Sequence, residues 1–478
     1  MLSYAFTRSD LTPDYATLGS RLSQAANSDP DKTALISCHE NTSLTFRQID
    51  DQVSRICENL RQAFNFKAGD VVSLWSTNSV DSVLVQYAAA RLGLILCTIN
   101  PAYKEKELEY VLQKSGAKAI FLPGHGSDQE VVNKFMPVLR GIQLSKLPVK
   151  QLITLDGDPG AKIDGLTSFK LDSFRQSGGS VPDHSEDVSA DSPAIIMFTS
   201  GTTGNPKGAV LSHFNMVNNA AFTASRLSLN GEGVAACIPV PLFHVFGMVY
   251  GSVMMSVASV PIVLTGYKYN AKTVVEAIAR HKCTHTMIVP AMTVDILNLV
   301  EKFDQNPIPS LKYVVTGSAP TPPEVAKKFV SKVPSVKHFY IRYGSTETGG
   351  CMTMPFPADE PDKTCSVVGA PLDLTQVKIC DPKSGKEVEV GKEGEIWVRG
   401  HHVMLGYWKD EVKTAEAIEN GWFKTGDVGV MQEDGYVNLV GRIKEMIIRG
   451  GENIYPKEIE NLLHQNPLVS EAFVCGGR

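Results

Sequence analysis

The chain has 478 residues, 43% of them hydrophobic and 20% charged, with a formal net charge of −5. That length holds roughly two to four structural units around an ample core, and the slight negative balance removes the electrostatic reason to expect nucleic acid. Nine cysteines, an odd number without a Cys-x-x-Cys pair, argue against a disulfide framework or a zinc site and fit a reducing compartment.

Met1 to Asp10 holds one arginine and no long apolar stretch, so it is not a secretory signal, and the early Asp10 and Asp14 make it a poor transit peptide. Thr45-Phe-Arg-Gln48 predicts a capping box, and the helix behind it puts Ile49, Val53, Ile56 and Leu60 on one face. Val71–Trp75 reads as a strand, a helix follows through Ala88–Ala90, and Leu94–Ile99 reads as a second strand. This is a βαβ unit and therefore a parallel sheet. A helix around Glu107–Leu112 and a strand at Ala119–Leu122 repeat the pattern. Residues 124–193 are richer in Gly, Ser, Asp and Pro, and are expected to form surface excursions between two halves of the main body.

Ala194–Phe198 predicts a buried strand running straight into Thr199, Ser200, Gly201, Thr202, Thr203, Gly204, Asn205, Pro206, Lys207 and Gly208. Small residues let successive backbone N–H groups converge on an anion, the hydroxyls add donors, and Lys207 adds a charge suited to an outer phosphate. The loop is not a Walker A loop, because Gly208 follows the lysine where Ser or Thr is needed. A flexible Gly/Ser/Thr linker is the alternative.

Val245–Leu264 is twenty residues without a charge, the length of a membrane span. Gly247, Gly251, three serines and Pro261 favour instead a buried helix followed by a strand at Pro261–Leu264. Further on, a helix over Val274–Arg280 and strands at Thr286–Val289 and Tyr313–Thr316 resume the alternation. After Gly369 short strands with turn signals, such as Gln376–Ile379 and Gly394–Arg399, suggest a small antiparallel barrel. Gly441 opens a polar hinge, followed by a short helix (Pro456–His464) and a strand (Glu471–Val474).

The loop after Phe198, with Tyr343-Gly-Ser-Thr-Glu-Thr348, Thr425-Gly-Asp427 and Gly441-Arg-Ile-Lys-Glu445 following in order, resembles the blocks of the adenylate-forming (AMP-binding) superfamily. That superfamily includes acyl-CoA synthetases, luciferases and carrier-loading adenylation domains. Asn100-Pro-Ala-Tyr103, Val403-Met-Leu-Gly-Tyr-Trp408 and Met446–Pro456 look most like its medium-chain acyl-CoA synthetases, the family member 2 type. The resemblance implies an α/β fold: a large N-terminal domain over 1–440, made of two βα-layered subdomains plus a β-barrel over 370–440, then a hinge at 441–445 and a small α+β C-terminal domain from 446 to 478. It also implies a longer C-terminal domain with a lysine that bridges the carboxylate and the α-phosphate. The sequence ends at Arg478 before such a lysine, so a truncated domain and impaired turnover are expected.

The same resemblance implies ATP, Mg²⁺ and coenzyme A as cofactors and a fatty acid as substrate, while charge and residue pattern argue against nucleic acid and a transmembrane segment. Glu347 would hold Mg²⁺, as hard oxygen ligation suits it. Thr346 would donate to the α-phosphate, and Tyr343 would stack on the adenine, whose site Gly317, Ser318 and Ala319 would line. Asp427 would accept both ribose hydroxyls, with Arg442 approaching the same ribose, and His244 would border the acyl tunnel. Gly450 and Gly451 would belong to a mobile segment that swings across the site, with Lys444 at its hinge. A helix start, plain turns, a solvated hinge charge and a packed histidine are the respective alternatives. The expected activity is an ATP-dependent, medium-chain fatty acid–CoA ligase acting through an acyl-adenylate. A non-catalytic nucleotide- or acyl-binding protein, a pseudoenzyme or partner of a full-length ligase, and a luciferase-type oxygenase share the motifs. Related enzymes are mitochondrial; the poor transit peptide leaves the cytoplasm as the other location.

Overall fold

The computed structural model describes residues 1–124, 128–157, 163–166, 168–176, 188–199, 205–445, 447–449, 452–454 and 456–464, together with residues 469, 472, 474 and 475. Its first sheet has eight strands in the order Gly406–Tyr407, Lys207–Ser212, Pro193–Thr199, Ile95–Ile99, Val71–Trp75, Ala119–Leu122, Gln151–Thr154 and Ser168–Lys170. From Pro193–Thr199 to Ser168–Lys170 every pairing is parallel, as the βαβ pattern predicts. The two central strands, Val71–Trp75 and Ile95–Ile99, are buried at every position because helices cover both faces.

Residues 124–193 are not merely surface excursions. They supply a helix, Gln129–Gly141, and two strands that extend the first sheet. Pro137 inside that helix and strands of four and three residues hid the pattern.

The second sheet has seven strands in the order His338–Ile341, Tyr313–Thr316, His285–Ile288, Ala236–Ile238, Ile262–Leu264, Thr33–Ser37 and Thr42–Thr45. All its pairings are parallel except the last. The hairpin at its edge leads into helix Phe46–Phe64, which starts with the expected box: Gln48 N donates to Thr45 Oγ1 and Thr45 N to Gln48 Oε1. Its apolar face, Ile49, Val53, Ile56 and Leu60, is fully buried.

The uncharged stretch from Val245 is buried helix to Val257, with a π turn over Val249–Val253, and then the strand Ile262–Leu264. Among the described residues no helix is long and apolar enough to cross a membrane. A Cβ on Gly247 would lie 2.1 Å from Pro241 O, so only glycine lets this helix sit on the 238–242 segment.

The third sheet is antiparallel, as expected after Gly369. Its path runs Tyr4–Phe6, Gln376–Cys380, Glu393–Arg399, Trp422–Met431 and Ile418–Glu419, with Val437–Arg442 also on Trp422–Met431. The strand from residues 4–6 was not foreseen. Val437–Arg442 takes in the first two residues of the expected hinge, and the chain turns after it, Glu445 N donating to Arg442 O. The hairpin Ile447–Arg449 with Glu452–Ile454 and the helix Pro456–His464 follow. Of the strand expected at 471–474 only Ala472 and Val474 are described, and neither is in a strand.

Side chains join the first two sheets at their facing ends. Asn78 donates to Val240 O at 3.0 Å and accepts from Leu242 N at 2.8 Å. Thr98 Oγ1 donates to Phe243 O at 2.8 Å.

Candidate functional site

The strands Pro193–Thr199 and Lys207–Ser212 form an antiparallel hairpin in which Thr199 faces Lys207. Thr199 Oγ1 donates to Lys207 O at 3.3 Å, closing the ladder at the mouth of the loop. Ser200, Gly201, Thr202, Thr203 and Gly204 lie outside the described residues, as do Gly450 and Gly451. Lys207 therefore marks the loop's edge, and its Nζ donates to Tyr407 Oη at 3.0 Å.

That hydroxyl in turn donates to Glu347 Oε1 at 3.0 Å. Glu347 sits in a 3₁₀ turn, Thr346–Thr348, opened by a Ser345–Thr348 capping box. Its backbone carbonyl accepts from Met404 N at 2.9 Å. Burial, and next the Glu347 carboxylate, push the Tyr407 phenol far above its ordinary value, so it is a neutral donor. The result is a cation, a phenol and a carboxylate in a row, the first two from the first sheet and the third from the turn that follows strand His338–Ile341.

Tyr343, four residues before Glu347, builds the second cluster. Its hydroxyl donates to Asp427 Oδ2 at 2.6 Å, and Arg442 Nε lies 2.9 Å from Asp427 Oδ1. Asp427 and Arg442 are cross-strand neighbours in the third sheet, which fixes the pair. Burial raises the Asp427 pKa, against the opposing pull of Arg442 and of Tyr343's hydrogen bond. Tyr343 is pushed up mainly by burial. The carboxylate thus lies buried between a phenol and a half-exposed guanidinium, each oxygen keeping a lone pair that can accept a further hydrogen bond.

Gly317 and Ser318 turn the chain after strand Tyr313–Thr316; Ser318 takes a left-handed φ of +71°. A Cβ on Gly317 would come 2.9 Å from Arg342 O. Arg342, buried beside Tyr343, donates to Ser318 Oγ at 3.1 Å and to Gly350 O, with its guanidinium 3.9 Å from the Phe246 ring. It thus ties the Gly317–Ala319 turn to the loop that carries Glu347. His244 sits at the cap position of helix Val245–Met248, its ring 4.2 Å from that of Phe243. One side of it is open to solvent, yet the surrounding protein lowers its pKa by desolvation.

A cavity of about 540 Å³ opens at the C-terminal ends of strands from both sheets, lined by Asn78, Asn100, Lys134, Phe243, Tyr267, Tyr269 and Met292 among others. Ligands of parallel sheets characteristically bind at such ends. Phe243, rather than His244, belongs to its wall.

The profile of the AMP-binding enzyme family matches residues 22–408. The chain belongs to that family. Among curated relatives, the mitochondrial medium-chain acyl-CoA ligase ACSF2 of Danio rerio is 37% identical over 466 residues, covering 94% of this chain and 75% of the relative. Among solved structures, the O-succinylbenzoate coenzyme A synthetase MenE of Bacillus subtilis, in complex with ATP and a magnesium ion, is 26% identical with a TM-score of 0.78. It covers 96% of this chain and 86% of its own. The fatty acyl CoA synthetase of Mycobacterium tuberculosis is 27% identical with a TM-score of 0.76, covering 96% and 85%.

In this AMP-binding enzyme the structure brings Lys207 and Glu347 together, and Tyr343 with Asp427 and Arg442. Both groups hang on the segment Tyr343–Gly350. Tyr407 and Arg342 are site residues that sequence reasoning missed. Tyr407 lay inside a block noticed only for its resemblance, and a Gly-Tyr pair gives no hint of partners 60 and 200 positions away.

Proposed function

We propose that this AMP-binding enzyme is a fatty acid–CoA ligase, which activates a medium-chain acid as an acyl-adenylate and passes the acyl group to the thiol of coenzyme A. A carboxylate is a poor acyl donor because its oxygen leaves badly, and joining it to AMP makes that oxygen part of a good leaving group. The observation that carries the reading is the arrangement along Tyr343–Gly350: the Lys207–Tyr407–Glu347 row on one side and the Tyr343–Asp427–Arg442 cluster on the other. The first group has the chemistry to meet outer phosphates, and the second has the chemistry to meet a ribose. Catalysis by positioning and fixed charge needs little more than this.

In this reading Lys207 neutralises an outer phosphate, Thr346 donates to the α-phosphate, and Asp427 holds the ribose. Gly317, Ser318 and Ala319 present backbone to the adenine with Tyr343 against it. Among the described residues no group of three His, Cys, Asp or Glu side chains could hold a metal alone. That fits Mg²⁺, which takes one or two protein carboxylates and the substrate's phosphates. Glu347 is the carboxylate in place, and the ion would supply neutralisation of phosphate charge. The names of the ACSF2 relatives support a mitochondrial location.

The test is acid-dependent release of pyrophosphate from ATP across a panel from acetate to long-chain and aromatic acids, with acyl-CoA measured in parallel. Octanoate and its neighbours should stimulate most. Preference for acetate or an aromatic acid would overturn the chain-length reading, and no response to any acid would overturn the ligase.

A further inference from the structure

Tyr407 is held from every side. Its strand pairs with the one that begins at Lys207, Ala209 facing Tyr407 and Val210 facing Gly406. Its amide donates to Thr414 Oγ1 at 2.8 Å. The flanking amides are fixed too, Leu405 N on Val210 O at 2.9 Å and Trp408 N on Gly208 O at 2.7 Å. At Gly406, φ is +148° and a Cβ would meet Thr414 Cγ2 at 2.8 Å, so the approach is sterically set as well. The side chain is buried, and its phenol oxygen accepts from Lys207 Nζ while donating to Glu347 Oε1, each at 3.0 Å. Lys207 Nζ also lies 4.2 Å from the ring centroid.

This arrangement has a chemical consequence. A lysine and a glutamate left to meet at the mouth of an anion-binding loop would form an ion pair, neutralising the cation meant for phosphate and the carboxylate meant for a metal. A neutral hydroxyl between them gives each a weaker partner that is easily exchanged. It also sets their separation from a rigid strand, whereas both side chains are long and flexible.

We propose that Tyr407 is a positioning residue for metal-bound nucleotide: it keeps Lys207 and Glu347 apart and aimed, so that the metal–triphosphate finds both charges free. The proposal rests on the reading above, in which Lys207 serves a phosphate and Glu347 the metal.

The test is Tyr407→Phe, which keeps the ring and the cation–π contact and removes the hydroxyl. Calorimetric titration should show Mg·ATP binding weakened about tenfold, as for the loss of a hydrogen bond to a charged group. ATP in EDTA should weaken less, about threefold, because the Lys207 charge that pairs with Glu347 is withheld from phosphate while no metal contact is lost. A merely structural tyrosine would lower the melting temperature and weaken both ligands alike, and that result would overturn the proposal. In a Glu347→Gln background the same substitution should have little further effect on Mg·ATP; full additivity would also overturn it. Lys207→Ala and Glu347→Gln serve as separate controls. If neither weakens Mg·ATP, the site reading itself is wrong. If both do and Tyr407→Phe does not, only the role of Tyr407 is wrong. Should Tyr407→Phe not fold, Thr414→Val, which releases the Tyr407 amide, must show the same magnesium-selective loss.

Discussion

Replacing Asp427 by alanine separates nucleotide recognition from folding. The carboxylate is only 8% exposed and serves two donors, Tyr343 Oη at 2.6 Å and Arg442 Nε at 2.9 Å. Removing it strands the Tyr343 hydroxyl, which is buried, at a cost of about 1–3 kcal/mol. Arg442 is 55% exposed and can turn to water, so it adds little. Stability should therefore fall by about 2 kcal/mol, and Tyr343→Phe in the same chain should restore most of it by removing the orphaned hydroxyl. Binding behaves differently. Two ribose hydroxyls donating to one carboxylate contribute about 3 kcal/mol between them, so AMP and ATP should each bind about 100-fold more weakly to Asp427→Ala. Adding Tyr343→Phe should not rescue that loss. Inorganic pyrophosphate, which has no ribose, should bind both proteins equally. The assay is calorimetric titration of the three ligands, with thermal melts for stability. Unchanged AMP affinity, or an equal loss for pyrophosphate, would refute the assignment of Asp427 to the ribose.

Histidines enclosed by the protein make stability depend on acid. Burial lowers His213 and His285 to about 4 and His401 to about 3, against about 6.5 in the unfolded chain. The unfolded state thus binds protons first, and stability is lost as pH falls from about 6.5 towards 4, by about 2 kcal/mol per histidine between pH 7 and pH 5. His401, whose ring lies 4.8 Å from Phe222 and has no hydrogen-bond partner, is the one to replace. His401→Phe should flatten the melting temperature against pH by one histidine's share, and an unchanged slope would reject its depressed pKa. Gly247→Ala puts a Cβ 2.1 Å from Pro241 O and should cost about 3 kcal/mol or the fold itself, read by chemical denaturation. Octanoate with Mg·ATP should raise the melting temperature beyond either ligand alone, by mutual linkage, where acetate should not.

Much of the body could be read from the sequence because its signals are local. Val71–Trp75 and Ile95–Ile99 are apolar at nearly every position, and Thr45-Phe-Arg-Gln48 carries a cap whose two bonds span three residues. Helix Gln129–Gly141 was lost to Pro137, a residue that normally ends helices and here is held within one. The site was legible as blocks and not as contacts. Asp427 and Tyr343 are 84 positions apart and Tyr407 is 200 from Lys207, so no periodicity links them. Arg342 gave no sign either; a lone arginine reads as surface until Ser318 and the Phe246 ring are seen around it.

The strand Tyr4–Phe6 has a consequence for how the protein is made. It pairs with Gln376–Lys378, so Phe6 waits for a partner 370 positions further along the chain. At about 5–20 residues per second on the ribosome, that wait is on the order of 20–70 s. Throughout it, an edge strand bearing the exposed Tyr4 and Phe6 has emerged while the sheet it completes does not yet exist. The first sheet needs no such wait for its central strands, since Val71–Trp75 and Ile95–Ile99 are near neighbours in the chain. Synthesis therefore delivers the two parallel layers early and the closing antiparallel sheet last. Of the described strands, Tyr4–Phe6 waits longest for its partner.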